Sequence, residues 1–240
     1  MISIIIPTLN EEKFLEKTIK NLSLLSEFDY EIIVSDGKSK DKTLEIARKY
    51  ANKVVEQVSD ERQTISAGRN AGAKIAQGDF LVFVDSDVLI PNINIFFAKA
   101  LDFFRDDNKL VALSVFMKVY PKSATLSDKF FFSIINTYHY ILNNFFHVGS
   151  SSGEFQMIKS ESFKMVDGYN EKIAAGEDGD IFSRLSKIGR TKISSNIFIE
   201  HSSRRAHAIG WGKLFSLYIL NGIFVKLFKR AFSKEWKPVR

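Results

Sequence analysis

The 240-residue chain has no cysteine, which excludes a disulfide framework, a thiolate metal site and a thiol nucleophile. Proline is scarce, at 4 residues, and glycine numbers only 13, so the chain is neither collagen-like nor a low-complexity linker. Long hydrophobic runs are missing as well. The apolar N-terminal run stops at Pro7 with no basic residues ahead of it, so no signal peptide is expected. The stretch Leu214–Val225 is interrupted by Asn221 and bounded by Lys213 and Lys226. At about 12 residues it falls short of the ~20 that cross a bilayer, so no transmembrane segment is expected.

What remains is an ordinary globular composition, 45% hydrophobic and 26% charged, in a length that suits one core. The net charge of +6 is unevenly placed. Residues 204–240 hold nine basic residues and the single acid Glu235, a net +8, which leaves residues 1–203 slightly acidic at −2. Basicity concentrated in one tail lowers the expectation of nucleic acid as a partner and raises that of a membrane surface.

Short apolar runs at Ile2–Ile6, Glu31–Val34, Val54–Val58 and Phe80–Val84 read as strands of a parallel sheet buried on both faces. Between them, residues 11–26, 41–50 and 64–77 carry helical spacing, with Asp41 a cap for the second. This alternation predicts a doubly wound α/β unit. Further on, the pattern predicts strands at Val111–Val119, Phe155–Ile158 and Lys192–Ile199. It predicts helices at Leu126–Phe146 and Gly176–Gly189, and a last amphipathic helix at Trp211–Phe232.

In such folds ligands bind beyond the carboxyl ends of the strands, where Pro7-Thr8-Leu9-Asn10-Glu11, Ser35-Asp36-Gly37 and Asp85-Ser86-Asp87 would meet. Asp85 and Asp87 suit a hard divalent cation, Mg²⁺ or Mn²⁺, although D-x-D also simply ends strands. Asp36 reads either as a turn or as an acceptor for a nucleobase or ribose. Arg69-Asn70 lies in a predicted helix with Gly68 and Gly72, where each glycine costs up to ~1 kcal/mol, so close packing or a ligand contact is expected, with an ordinary surface arginine as the equal alternative.

In order, SIIIPTLNEE, SDGKSKDKT, GRNAGA, GDFLVFVDSD, FKMVDGYNE and GEDGDIFSRL resemble glycosyltransferase family 2, over residues 2 to about 201. The resemblance implies the GT-A fold, a doubly wound mixed sheet flanked by helices, and inverting transfer from a nucleotide sugar. The implied division is a catalytic domain at 1–203, with a nucleotide-sugar half at 1–110 and an acceptor half at 111–203, followed by an amphipathic helical tail at 204–240. It implies that Pro7, Thr8, Asn10, Glu11, Asp36, Arg69, Asn70, Asp85 and Ser86 bind a UDP- or GDP-linked sugar. Asp87 and Asp85, with His201, would hold Mn²⁺ or Mg²⁺. Asp178 would be the general base beside Glu177, with Arg184 on the same helix, and Glu154 and Gln156 would meet the acceptor. Lys38, Lys40 and Lys42 depart from the small residues usual in the second block.

An acidic helix start is also a plain dipole effect, so Glu177 and Asp178 gain their reading from the preceding blocks. The aromatic segment 126–146 is expected mainly in the core, or as a wall for an acceptor. The last helix, followed by Lys226, Lys229, Arg230, Lys234, Lys237 and Arg240, is expected at a membrane interface, with packing on the domain or a homodimer as alternatives. A cytoplasmic enzyme on the inner face of the membrane, with a lipid-linked or glycan hydroxyl acceptor, is the resulting expectation. A sugar-phosphate nucleotidyltransferase would need a Gly-rich loop after the first strand, where this chain has Pro-Thr-Leu-Asn-Glu-Glu. A non-catalytic module of the same fold would lack the acids at 85, 87 and 178.

Overall fold

The protein is described here by a computed structural model covering residues 1–58, 63–228 and 230–233. Lys229, Lys234, Lys237 and Arg240 of the basic tail lie outside the described residues. The chain runs β1 (Ile2–Thr8), α1 (Leu15–Leu22), β2 (Tyr30–Asp36), α2 (Thr43–Tyr50), β3 (Lys53–Glu56), α3 (Ile65–Ile75), β4 (Phe80–Val84), β5 (Val88–Leu89) and α4 (Ile93–Asp106). It continues with β6 (Leu110–Val119), α5 (Leu126–Asn144), β7 (Phe155–Lys159), α6 (Ser160–Met165), α7 (Glu177–Leu185), β8 (Arg190–His201), α8 (Arg204–Ile209) and α9 (Trp211–Phe228).

One sheet takes all the described strands in the order β3-β2-β1-β4-β7-β6-β8-β5. The first four are mutually parallel, β7 is antiparallel to both neighbours, and β8 returns parallel to β6. Because the sheet is buried on both faces, its strands are apolar at successive positions. Ile2, Ile4 and Ile6 enter one core with α1, α4 and α5, while Ile5, Leu81 and Phe83 enter the other with α6 and α7. The register pairs Thr8 with Asp36, so the carboxyl ends of β1 and β2 finish together beside that of β4.

Several boundaries move for identifiable reasons. The first helix runs from Leu15 rather than residue 11, preceded by a turn in which Glu11 O accepts from Phe14 N and Leu15 N. The backbone N–H groups of Glu11 and Glu12 donate to Thr43 Oγ1 at 2.7 Å and Asp41 Oδ2 at 3.2 Å. Gly72 in α3 is a packing glycine: a Cβ there would come 2.5 Å from Ile5 Cγ2, so the helix could not sit this close to β1. The Phe-rich helix α4 and the short β5, α6 and α8 are absent from the sequence reading.

The last helix is not amphipathic, which corrects the expectation. It buries Leu214, Asn221 and Val225 against the body and exposes Ile219, Leu220, Ile223, Leu227 and Phe228. Its polar Asn221 thus faces inward, bonded to Leu217 O and Ser233, and its outer surface is apolar. Its 18 residues, of mean hydropathy 1.2, make it long and apolar enough to cross a membrane by length and composition. The shorter count rested on Leu214–Val225 alone.

The described residues from 204 to 225 are built into the body. Asp128, in the first turn of α5, accepts from Thr125 N at 2.9 Å, Trp211 Nε1 at 2.7 Å and Ser203 Oγ at 3.3 Å, and pairs with His207 Nε2 at 3.0 Å. The Trp211 ring stacks on Phe131 at 4.8 Å. Burial opposes the charge on Asp128, but these bonds outweigh it and hold the carboxyl down at about 2.

Because that value lies below the ordinary 3.8, the stabilisation is complete above pH ~4 and is lost as pH falls through about 2. Asp128→Asn is expected to lower stability at pH 7 by roughly 1–3 kcal/mol and to flatten the acid limb of the profile, read by urea unfolding from pH 2 to 7.

Candidate functional site

The site is built around a buried cation. Arg69, 1% exposed on the inner face of α3, donates from Nη1 to Asp178 Oδ1 at 2.5 Å and to Glu177 Oε1 at 3.4 Å. Its Nη2 donates to Asp85 Oδ1 at 3.3 Å and to the Gly153 carbonyl at 3.0 Å. The guanidinium lies 5.1 Å from the Tyr169 ring centroid. One side chain therefore ties the start of α7 to the loop that ends β4.

Gly153 makes this approach sterically feasible. A Cβ at that position would meet Arg69 Nη2 and Asp178 Oδ2, each at 2.6 Å.

Burial pushes Asp178 well above the ordinary carboxylate range, against the pull of Arg69 and with the neighbouring acids Glu177, Asp85 and Glu154 adding to the rise. Asp85 follows the carboxyl end of β4. Burial there, opposed by Arg69 and reinforced by Glu154 and Asp87, raises it to about 6. Glu154 Oε2 is buried with no hydrogen bond. A cluster so rich in acids is arranged to receive positive charge.

The second centre lies at Asp87. Its Oδ1 is 3.2 Å from His201 Nε2, at the end of β8, and its Oδ2 is 2.9 Å from Arg204 Nε. Ligand atoms of Asp85, Asp87 and His201 all fall within 4.8 Å of one another, a set of two oxygens and an imidazole nitrogen that suits Mn²⁺ or Mg²⁺. Burial disfavours charge on His201, yet the adjacent Asp87 outweighs it and raises the ring to about 9. His201 Nδ1 is buried without a hydrogen bond. These donors fit a divalent cation.

The remaining candidates divide. Asp36, 1% exposed, accepts from Ser39 N at 2.9 Å, Ser39 Oγ at 2.5 Å and Thr8 Oγ1 at 3.2 Å, at the mouth where Pro7 and Asn10 also lie. Asn10 has a left-handed φ of 55° and joins this loop to its neighbour by accepting from Lys40 N at 2.7 Å. Glu11 holds Arg204, and the Ser86 carbonyl accepts from Thr18 Oγ1 at 2.6 Å.

Three candidates are turned elsewhere. Asn70 tethers the Tyr169 backbone through bonds of 2.9 Å in both directions. Arg184 binds Asp180 Oδ2 at 2.7 Å and the Val166 carbonyl at 2.5 Å, and the i,i+4 spacing of Asp180 and Arg184 already signals that pair. Gln156 is fully buried behind Asp178, bonded to the Tyr169 hydroxyl and 3.4 Å from the Asp178 carbonyl.

Sequence reasoning missed Arg204, Tyr169 and Gly153 as members of the site. It also missed Tyr120, whose hydroxyl donates to the Asp87 carbonyl at 2.6 Å. Tyr169 stands within the FKMVDGYNE block without being singled out there, and the other three reach the site by tertiary contact. A cleft of about 210 Å³ beside Arg204 is lined by Asn10, Glu11, Glu12, Lys13, Phe14 and Asp41. A larger one of about 410 Å³ lies at the opposite end of β1, among Met1, Ser26 and Phe80, away from the acid cluster.

Residues 3–166 match the model of glycosyl transferase family 2. The chain is 40% identical over 91 residues to the poly(ribitol-phosphate) β-N-acetylglucosaminyltransferase TarS of Staphylococcus aureus, covering 35% of this chain and 16% of that protein. It is 33% identical over 159 residues to the 4,4'-diaponeurosporenoate glycosyltransferase of Staphylococcus haemolyticus, covering 64% and 41%. It thus spans less than half the length of these relatives.

Among solved structures, a mannosyltransferase from Pyrobaculum calidifontis in complex with GDP-Man and Mn²⁺ superposes with a TM-score of 0.73 at 19% identity, covering 95% of this chain and 64% of that one. TarS with UDP-GlcNAc gives 0.65 at 22%, covering 85% and 58%. The fold is the GT-A fold.

Removing the Arg69 charge leaves the buried Glu177 and the part-buried Asp178 and Asp85 without their counter-ion, and breaking a buried pair typically costs ~3–5 kcal/mol. Arg69→Met is expected to lose that much stability in urea unfolding at pH 7; a loss below ~1 kcal/mol would contradict the bridging geometry.

Proposed function

The chain belongs to glycosyl transferase family 2, and we propose that it transfers a sugar, with inversion, from a UDP- or GDP-linked donor to a hydroxyl on a lipid-linked or glycan acceptor. The observation that carries this reading is the Arg69 bridge: Asp178 and Asp85 share one guanidinium, so the proposed base and a proposed cation ligand belong to one site.

Asp85, Asp87 and His201 would hold Mn²⁺ or Mg²⁺, which as a Lewis acid supplies stabilisation of the diphosphate leaving group. Asp178 takes the acceptor proton as its oxygen attacks the anomeric carbon. Its raised pKa makes it a stronger base than a surface carboxylate, and Arg69 fixes its direction. Glu177 packs against the same guanidinium and adds to the basicity of Asp178. Thr8, Asn10 and Asp36 at the mouth of β1 and β2 would line the base and ribose, and Glu154, with its unbonded oxygen, would face the acceptor.

The apolar outer surface of α9, with Lys213 and Lys226 at either end, supports peripheral attachment to the cytoplasmic face of a membrane, where a lipid-linked acceptor would lie.

Asp178→Asn is expected to lower kcat for transfer at least ~100-fold while leaving nucleotide binding within about threefold, measured by product formation and calorimetry. Retention of full transfer activity would remove Asp178 from the mechanism. Replacing Ile219, Ile223 and Leu227 by Ser should abolish flotation with anionic vesicles without changing turnover of a soluble acceptor; unchanged flotation would remove the membrane role.

A further inference from the structure

A second guanidinium reaches the site from 193 residues away in sequence. Arg204 Nη1 and Nη2 donate to Glu11 Oε2 and Oε1 at 2.9 and 3.1 Å, and its Nε lies 2.9 Å from Asp87 Oδ2. Its face covers the Phe14 ring at 4.6 Å. Glu11 and Asp87 are 7% and 2% exposed, so their charges have little water to screen them. Arg204 itself keeps 22% of its side chain exposed, on the side where the cleft of about 210 Å³ opens.

We propose that Arg204 is an exchangeable counter-ion: in the free protein it neutralises Glu11 and Asp87, and when a nucleoside diphosphate binds with its divalent cation it passes to the phosphate oxygens. The inference rests on the nucleotide-sugar reading above.

Three features carry it. Asp87 cannot serve a divalent cation fully while a guanidinium occupies its Oδ2, because two positive centres at one carboxylate oxygen repel. The planar fork that grips Glu11 through two parallel bonds is equally matched to a phosphate, so the exchange trades one bidentate partner for another. The partly exposed position of Arg204 beside an open cleft lets it turn, whereas the 1% exposed Arg69 is locked by four acceptors.

An exchange of this kind predicts effects of opposite sign on two ligands. In calorimetric titrations of Arg204→Ala, Mn²⁺ alone is expected to bind about tenfold more tightly than to the unaltered chain, because the competing charge is gone. UDP and GDP, each titrated at saturating Mn²⁺, are expected to bind about tenfold or more weakly, because a charge-assisted bond to phosphate is lost. Arg204→Lys keeps the charge and loses the fork. It should leave the affinity for Mn²⁺ alone within about threefold and still weaken the nucleotide.

If both affinities fall together in Arg204→Ala while Arg204→Lys restores both, Arg204 is a fixed structural pair and the proposal is overturned. A rise in both overturns the phosphate half, and unchanged affinities overturn the whole. If the unaltered chain binds neither nucleotide, the functional reading and the phosphate half fail together. The Mn²⁺ titration then still decides the counter-ion half.

Discussion

A charge buried in a protein interior must be compensated where it stands, and Arg69 is the place where this fold meets that requirement. Its guanidinium is satisfied by Asp178, Glu177, Asp85 and the Gly153 carbonyl, groups that come from α7, the end of β4 and the approach to β7. The glycine at 153 leaves room for that contact. The same bonds that stabilise the buried cation tie α3 to the start of α7, to the end of β4 and to the loop before β7, so the stability of the core and the assembly of the site are one problem. Burial, reinforced by the neighbouring acids, then pushes Asp178 and Asp85 upward in pKa, the direction a proton acceptor requires.

The segment after β8 is held by comparable means. Asp128 gathers Ser203, His207 and Trp211 on α5, and Arg204 crosses to Glu11 and Asp87. Ser203, His207 and Asp128 resemble a hydrolytic triad in composition only, since both partners meet the same His207 nitrogen, Nε2, which leaves no relay through the ring. The expected boundary at residue 203 therefore separates residues that pack together, and the C-terminal helix is at once a wall of the body and an apolar outer surface.

Much of the sheet was legible because buried parallel strands leave a local trace. Ile2–Ile6 and Phe80–Val84 are continuous apolar runs ending at polar residues, and the acids following them converge as the strand order dictates. The roles of Arg69, Asn70 and Gln156 were less legible, since a residue's number says that it lies near a motif and not which way its side chain turns. Arg69 reads equally as a ligand contact or a surface charge until Asp178, 109 residues away, is found against it. Helix α9 was misjudged for a different reason. Periodicity identifies a face only when polar residues mark the opposite one, and here nearly every position is apolar.

If the acids at the carboxyl edge of the sheet bind a nucleotide sugar through a divalent cation, that binding must depend on the cation and on Asp87. Calorimetric titration of UDP- and GDP-linked sugars, with Mn²⁺ and after its removal by chelation, tests it most directly when repeated on Asp87→Asn. At least one donor is expected to bind only with Mn²⁺ present, and Asp87→Asn to weaken this binding by about tenfold or more. Binding that persists unchanged without the metal, or that is indifferent to Asp87→Asn, would contradict it.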